Sequence, residues 1–254
     1  MSGDIMKKVM IASIVLIFLS SCSPQTASNT ETATNTVQAK IIETPLPGIT
    51  PTSLPVVITD LAPLFADNTL KQIEVIIQEN DLATAGSLLS VKLRNDSEYE
   101  RHFSLPCGYT FSPSIHKDYQ ELILIQPLDF SMQPLDWLIV NPITVSIEPY
   151  KQIPVLGESY QVGPMAQGNL KKLADCTCGK KIEADDGITL LTQQVAYWVV
   201  ADEKGSKFVA GLSNEEFLGL LKSYGVDQAT LDSMKDYAPL FKLNVAGALL
   251  TCGF

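Results

Sequence analysis

Histidine occurs only twice in the 254 residues, at His102 and His116. Neither belongs to a close-set pair such as H-x-x-x-H, so a zinc site from His102, His116 and Cys107 needs the fold to bring distant residues together. No G-x-S-x-G elbow, phosphate-binding glycine loop or H-E-x-x-H helix occurs, and the hydrolase, nucleotide-binding and metalloprotease classes they mark are without support. Basic residues are also scarce: 18 Lys and Arg face 28 Asp and Glu, a net charge of -10, with no basic cluster. That balance excludes the counterion-releasing footprint of a nucleic-acid or anionic-membrane binder. No apolar run reaches the roughly 20 residues that a permanent membrane helix requires.

What is present begins at Lys7 and Lys8, which precede an almost unbroken apolar run from Val9 to Leu19. A positive start, an apolar stretch of about a dozen residues and a small-residue end are the three parts of a secretory signal. The closing residues Leu19-Ser20-Ser21-Cys22 resemble the lipobox of bacterial lipoproteins. The resemblance implies cleavage before Cys22, acylation of that cysteine, and anchoring on the extracytoplasmic face of the cell membrane, or on an outer membrane where the cell has one. More than one acyl chain on Cys22 would make the attachment stable. Loss of residues 1–21 removes Lys7, Lys8 and Asp4 and takes the net charge from -10 to -11.

Residues 22–58 are rich in Ser, Thr and Pro and show no sustained period, which predicts a tether. As a flexible coil its ends would lie on the order of 35 Å apart. From Leu70 the period becomes two. Ile73, Val75 and Ile77 alternate with polar residues, as do Leu89, Val91 and Leu93, and short apolar runs follow at 122–125, 135–140 and 143–147. Asn95-Asp96-Ser97 and Pro106-Cys107-Gly108 read as turns. Residues 59–160 are therefore expected to form an antiparallel β-sandwich of immunoglobulin-like type. Trp137, in step with Leu135 and Ile139, is the expected central core side chain, with a surface sugar-stacking platform as the alternative.

After Gly163 the period is helical. Leu170, Leu173 and Ala174 share a face, and Leu191, Val195, Trp198 and Val199 follow i, i+4, i+7, i+8 behind a cap at Asp185 or Asp186. Ser213-Asn214-Glu215-Glu216 reads as a capping box, Asp227 as a second cap, and Pro239 as the end of the helix carrying Leu231 and Met234. A last amphipathic piece runs through Phe241, Val245 and Leu249. Residues 161–254 are thus expected to be a small helical subdomain, and the fold class is α+β.

With Cys22 assigned to lipid, Cys107, Cys176, Cys178 and Cys252 remain, an even number in an exported chain. Disulfides are expected. Cys176 and Cys178 are too close in sequence to bridge each other well, so one would join Cys107 and the other Cys252. The alternative is a thiol protein in which Cys176 and Cys178 hold copper or pass electrons. Glu183, Asp185 and Asp186 lack the spacing of a calcium loop and read as a solvated turn.

Gln194-Val195-Ala196-Tyr197-Trp198 resembles the Q-x-A-x-W helix of thioester domains in bacterial surface adhesins. The resemblance implies that Gln194 would be the acyl partner of a cysteine. No cysteine lies in the family's upstream context, and on pattern alone Val195 and Trp198 are helix core with Gln194 as a polar flank. Taken together, the sequence predicts a non-enzymatic, lipid-anchored protein without cofactor, presenting its domain to a protein or saccharide partner and to no nucleic acid.

Overall fold

The computed structural model describes residues 57–58, 70–78, 85–178 and 187–254. All lie within one compact unit, Ser53–Phe254. Cys22, the expected signal segment, most of the expected tether, and Glu183, Asp185 and Asp186 lie outside the described residues. The class is mixed α+β, with described strands preceding described helices.

The strands are β1 Val57–Ile58, β2 Leu70–Ile77, β3 Ala85–Gly86, β4 Leu89–Asn95, β5 Arg101–Leu105, β6 Tyr109–Pro113, β7 Leu122–Leu124, β8 Leu128–Met132, β9 Trp137–Val140, β10 Thr144–Ser146 and β11 Tyr160–Met165. They form a five-stranded sheet in the order β11-β6-β7-β10-β3 and two three-stranded sheets, β2-β4-β9 and β1-β5-β8. Every pairing is antiparallel except β1 on β5. Thus Val57 and Ile58, at the end of the expected tether, are strand-paired.

Alternation decides which face is buried. Along β4 every second residue is buried, and Leu89, Val91 and Leu93 join Val75, Ile77, Phe103, Leu105, Phe111, Leu122 and Leu124 in one core drawn from all three sheets. β7 is buried on both sides. Leu122 and Leu124 enter that core, whereas Ile123 and its neighbour Ile125 enter a second one with Val145, Ile147 and the helices. The five-stranded sheet is therefore a middle layer, which explains the continuous apolar run of β7.

The helices are α1 Gly168–Thr177, α2 Gly187–Ala201, α3 Ser206–Gly211, α4 Asn214–Ser223, α5 Gln228–Met234 and α6 Ala238–Thr251. The caps at Ser213 and Asp227 stand where the sequence places them. Ser213 Oγ accepts from Glu216 N (3.1 Å) while Glu216 Oε2 accepts from Ser213 N (2.7 Å), and Asp227 accepts from the N–H groups of Ala229 and Thr230. Pro239 follows the end of α5 and sits in the first turn of α6, where its missing N–H costs nothing. The boundary expected at 160/161 falls inside β11, and the helices share a core with the middle sheet. The reason is that β7 and β10 are buried on two faces, so the sheet needs the helices as a cover.

Two disulfides close the structure: Cys107–Cys178 and Cys176–Cys252. The first ties the turn before β6 to the end of α1, and the second ties α1 to the end of α6.

Candidate functional site

The outer face of β2-β4-β9 is the most unusual surface of the described residues. β9 pairs with β4 so that Arg94 lies beside Trp137 and Lys92 beside Ile139. This register points Leu138 and Val140 toward the strand core and sends Leu135, Trp137 and Ile139 outward, all exposed. Trp137 is thus not the central core residue that the sequence suggests; it is 45% exposed. The alternation was correctly spaced, but a shift of one residue exchanges the two faces of a strand.

Asn95 sets that phase. It is fully buried at the end of β4, and its Nδ2 donates to the carbonyls of Tyr99 (2.8 Å), Met132 (3.2 Å) and Gln133 (3.0 Å). Its backbone N–H donates to Asp136 O at 3.0 Å. The turn into β9 is thereby clamped, and Leu135 within it adopts a left-handed backbone at φ 59°. A non-glycine residue there carries backbone strain. The strained residue displays an apolar side chain to water.

Two cations flank the indole. Lys92 Nζ lies 4.8 Å and Arg94 Cζ 5.2 Å from the ring centroid. Each contact is worth about 0.5–1 kcal/mol at an exposed site. Arg94 also forms an ion pair with Asp96, with Nε 2.7 Å from Oδ1. The apolar row is edged by two cations, each with a carboxylate at hand: Asp96 beside Arg94, and Glu74 across from Lys92 in the β2–β4 register. It offers stacking, apolar contact and two charge-assisted donors, and it carries no nucleophile or acid–base pair.

The other described residues singled out by sequence occupy structural positions. Cys176 and Cys178 are both in disulfides and present no thiolate. Cys107 is likewise bridged, His102 Nδ1 is 3.0 Å from Ser131 Oγ, and His116 Nδ1 is 2.7 Å from Glu158 Oε2. Among the described residues no group of three or more His, Cys, Asp or Glu side chains could hold a metal, and no helix is long and apolar enough to cross a membrane.

Gln194 is buried, not a polar flank. Its amide pairs with the backbone of Ser146 in β10, accepting from N (2.8 Å) and donating to O (2.6 Å). With the four cysteines from 107 onward in disulfides, no thiol among the described residues faces it.

A shallow cleft of about 320 Å³ opens between the segment after β10 and the end of α2, lined by Glu148, Tyr150, Lys151 and Asp202. Its polar groups satisfy one another. Asp202 accepts from Tyr150 (2.8 Å), Tyr224 (2.9 Å) and Lys204 (2.7 Å), and Lys151 Nζ is 2.8 Å from Glu148 Oε1. Burial pushes Asp202 up, but the bonds from Lys204, Tyr150 and Tyr224 outweigh it and hold the carboxyl below its ordinary value. Burial and the Asp202 bond push both tyrosines up. This is a closed polar knot that locks α2, α4 and the cleft together.

The face around Trp137 therefore stands as the candidate site. No family model, no curated protein and no solved structure matches the chain.

Proposed function

We propose that the chain is a lipid-anchored, extracytoplasmic binding protein whose β9 face takes a saccharide bearing carboxylate or sulfate groups. The observation that carries the reading is the exposed Leu135, Trp137 and Ile139 row flanked by Lys92 and Arg94. An indole face suits the apolar side of a sugar ring, and the cations suit its anionic substituents. Location is supported by Lys7, Lys8 and Leu19-Ser20-Ser21-Cys22, and by two disulfides of the kind that an oxidising compartment sustains. The mechanism is presentation: lipid on Cys22 for place, residues 22–56 for reach, β9 for contact. Within this reading the β region is an immunoglobulin-like sandwich, supported by a core that draws side chains from all three sheets.

The anchor is tested on the full chain. Globomycin treatment or Cys22→Ala is expected to leave an unprocessed, non-acylated precursor; normal processing and attachment would end the anchor reading. The ligand is tested on immobilised hyaluronan and chondroitin sulfate, with neutral dextran as control. Retention on the acidic polymers at low salt, lost in Trp137→Ala and weakened in Lys92→Ala, is expected. Equal retention of wild type and Trp137→Ala would overturn the assignment of the face.

A further inference from the structure

The last helix is apolar on two sides. Phe241, Val245, Ala246 and Leu249 of α6 pack into the helix core. On the opposite side Leu240 (62% exposed), Leu243 (62%) and Leu250 (69%) face solvent, with exposed Tyr237 continuing the stripe below Leu240. Helices that are apolar all round are normally covered all round. Gly247 lies on the same stripe, and a Cβ added there would meet nothing within 4 Å. Among the described residues nothing accounts for a glycine in mid-helix, which costs about 1 kcal/mol relative to alanine.

We propose that this face pairs with α6 of a second copy of the chain, the two helices running antiparallel about a two-fold axis at Val245. The spacing of Leu240, Leu243, Gly247 and Leu250 is three, four, three, the step of a helix–helix seam. It is also symmetric about position 245, as an isologous contact requires. In that register Leu240 meets Leu250 of the second copy, and Leu243 meets Gly247. The leucine supplies a knob and the glycine the hole that receives it, twice per dimer. Leu240, Leu243, Gly247 and Leu250 carry no charge, so the seam itself brings no like charges together.

A bilayer is the less suited occupant. Interfacial helices carry Lys and Arg beside the apolar face. α6 has one cation, Lys242, whose Nζ is spent on Leu212 O at 2.6 Å. The exposed Leu and Tyr side chains of the stripe would bury on the order of 400 Å² per copy, about half of a standard interface, so the association is reversible and is best trapped covalently.

The test uses the full chain carrying Cys22→Ala, which removes the remaining unbridged cysteine, with Leu240→Cys and Leu250→Cys together, treated with a thiol oxidant and run without reductant. Positions 240 and 250 are about 15 Å apart along one helix and cannot bridge within it. The double variant is expected to give a disulfide-linked dimer, whereas each single variant stays monomeric. Adding Gly247→Phe should reduce the cross-link at least tenfold. A dimer from Leu240→Cys alone would mean a parallel contact and overturn the proposal. So would a double variant that stays monomeric while mass mapping shows both native disulfides intact. Vesicles of phosphatidylcholine and phosphatidylglycerol provide the lipid control: if full chain carrying Cys22→Ala binds them and Leu243→Asp abolishes that binding, the face belongs to lipid and the proposal falls. None of these readouts depends on the ligand of the β9 face.

Discussion

Gln194 closes its side-chain amide on both backbone groups of Ser146, standing just beyond the last β3 pair, Val145 with Ala85. A helix side chain thus satisfies both backbone groups of a strand residue. Trp198 Nε1 adds a bond to Ser146 Oγ at 3.2 Å, so one residue of β10 is held by two successive turns of α2. Replacing Gln194 by Ala strands a buried N–H and a buried carbonyl, each costing roughly 1–3 kcal/mol. Gln194→Ala is expected to lower unfolding free energy by about 2–4 kcal/mol in urea with the disulfides intact. A loss below about 0.5 kcal/mol would show that the pair carries no stability.

The disulfides enclose long loops, with partners 71 and 76 residues apart. Peptide mapping without reduction should recover Cys107 with Cys178 and Cys176 with Cys252, and alkylation should modify none of the four before reduction. Cys176→Ser with Cys252→Ser is expected to cost about 4 kcal/mol by loop closure. The exchanged pairing, Cys107 with Cys176, would contradict the structure.

The two tryptophans differ in exposure, Trp198 at 4% and Trp137 at 45%. Iodide, drawn by Lys92 and Arg94, should quench one part of the emission and leave the other untouched. Trp137→Phe should remove the quenchable part and change stability by no more than about 0.5 kcal/mol, as expected of a surface substitution. Emission that is uniformly protected in the wild type would place Trp137 inside after all.

Acid should loosen the polar knot. The Asp202 carboxyl is held below its ordinary value of 3.8, so its contribution is present above that value and is lost as the pH falls through the lowered one. The raised Tyr150 and Tyr224 act at the other end, where stability persists below the ordinary 10.0 and declines as the pH climbs toward their raised values. The urea midpoints of wild type and Asp202→Asn should differ at pH 6 and converge toward pH 3. A gap that stays constant across that range would remove Asp202 from the acid response.

Much of the local structure could be read from residues alone, because it depends on neighbours in the chain. The β4 alternation, the Ser213 box, the Asp227 cap and the turn at 95–97 are of this kind. Trp137 shows the limit: alternation gives the spacing of a strand but not which side is inward, and that choice rests on Asn95 reaching carbonyls 37 and 38 residues away. The core shared by helices and middle sheet was hidden for a related reason, since β7 shows its second buried face only once helices are packed on it. Gln194 left a usable trace. It stands four residues after Leu190 and four before Trp198, in a helix without a charge from Gly187 to Ala201, where a polar side chain has to find its partner inside. The Leu135, Trp137 and Ile139 row was visible as a pattern, but its role depends on the direction in which it points.

The bridges at Cys176 and Cys178 start two residues apart and run in opposite directions along the chain, so the loops 107–178 and 176–252 overlap. Every peptide bond between Cys107 and Cys252 is therefore spanned by a disulfide. A protease that cuts any one of them nicks the protein without shedding a fragment, because a disulfide still joins the two pieces. If the chain is anchored outside its cell as proposed, that is resistance to release by single cleavage, supplied by where two cysteines sit in α1 and the residue after it.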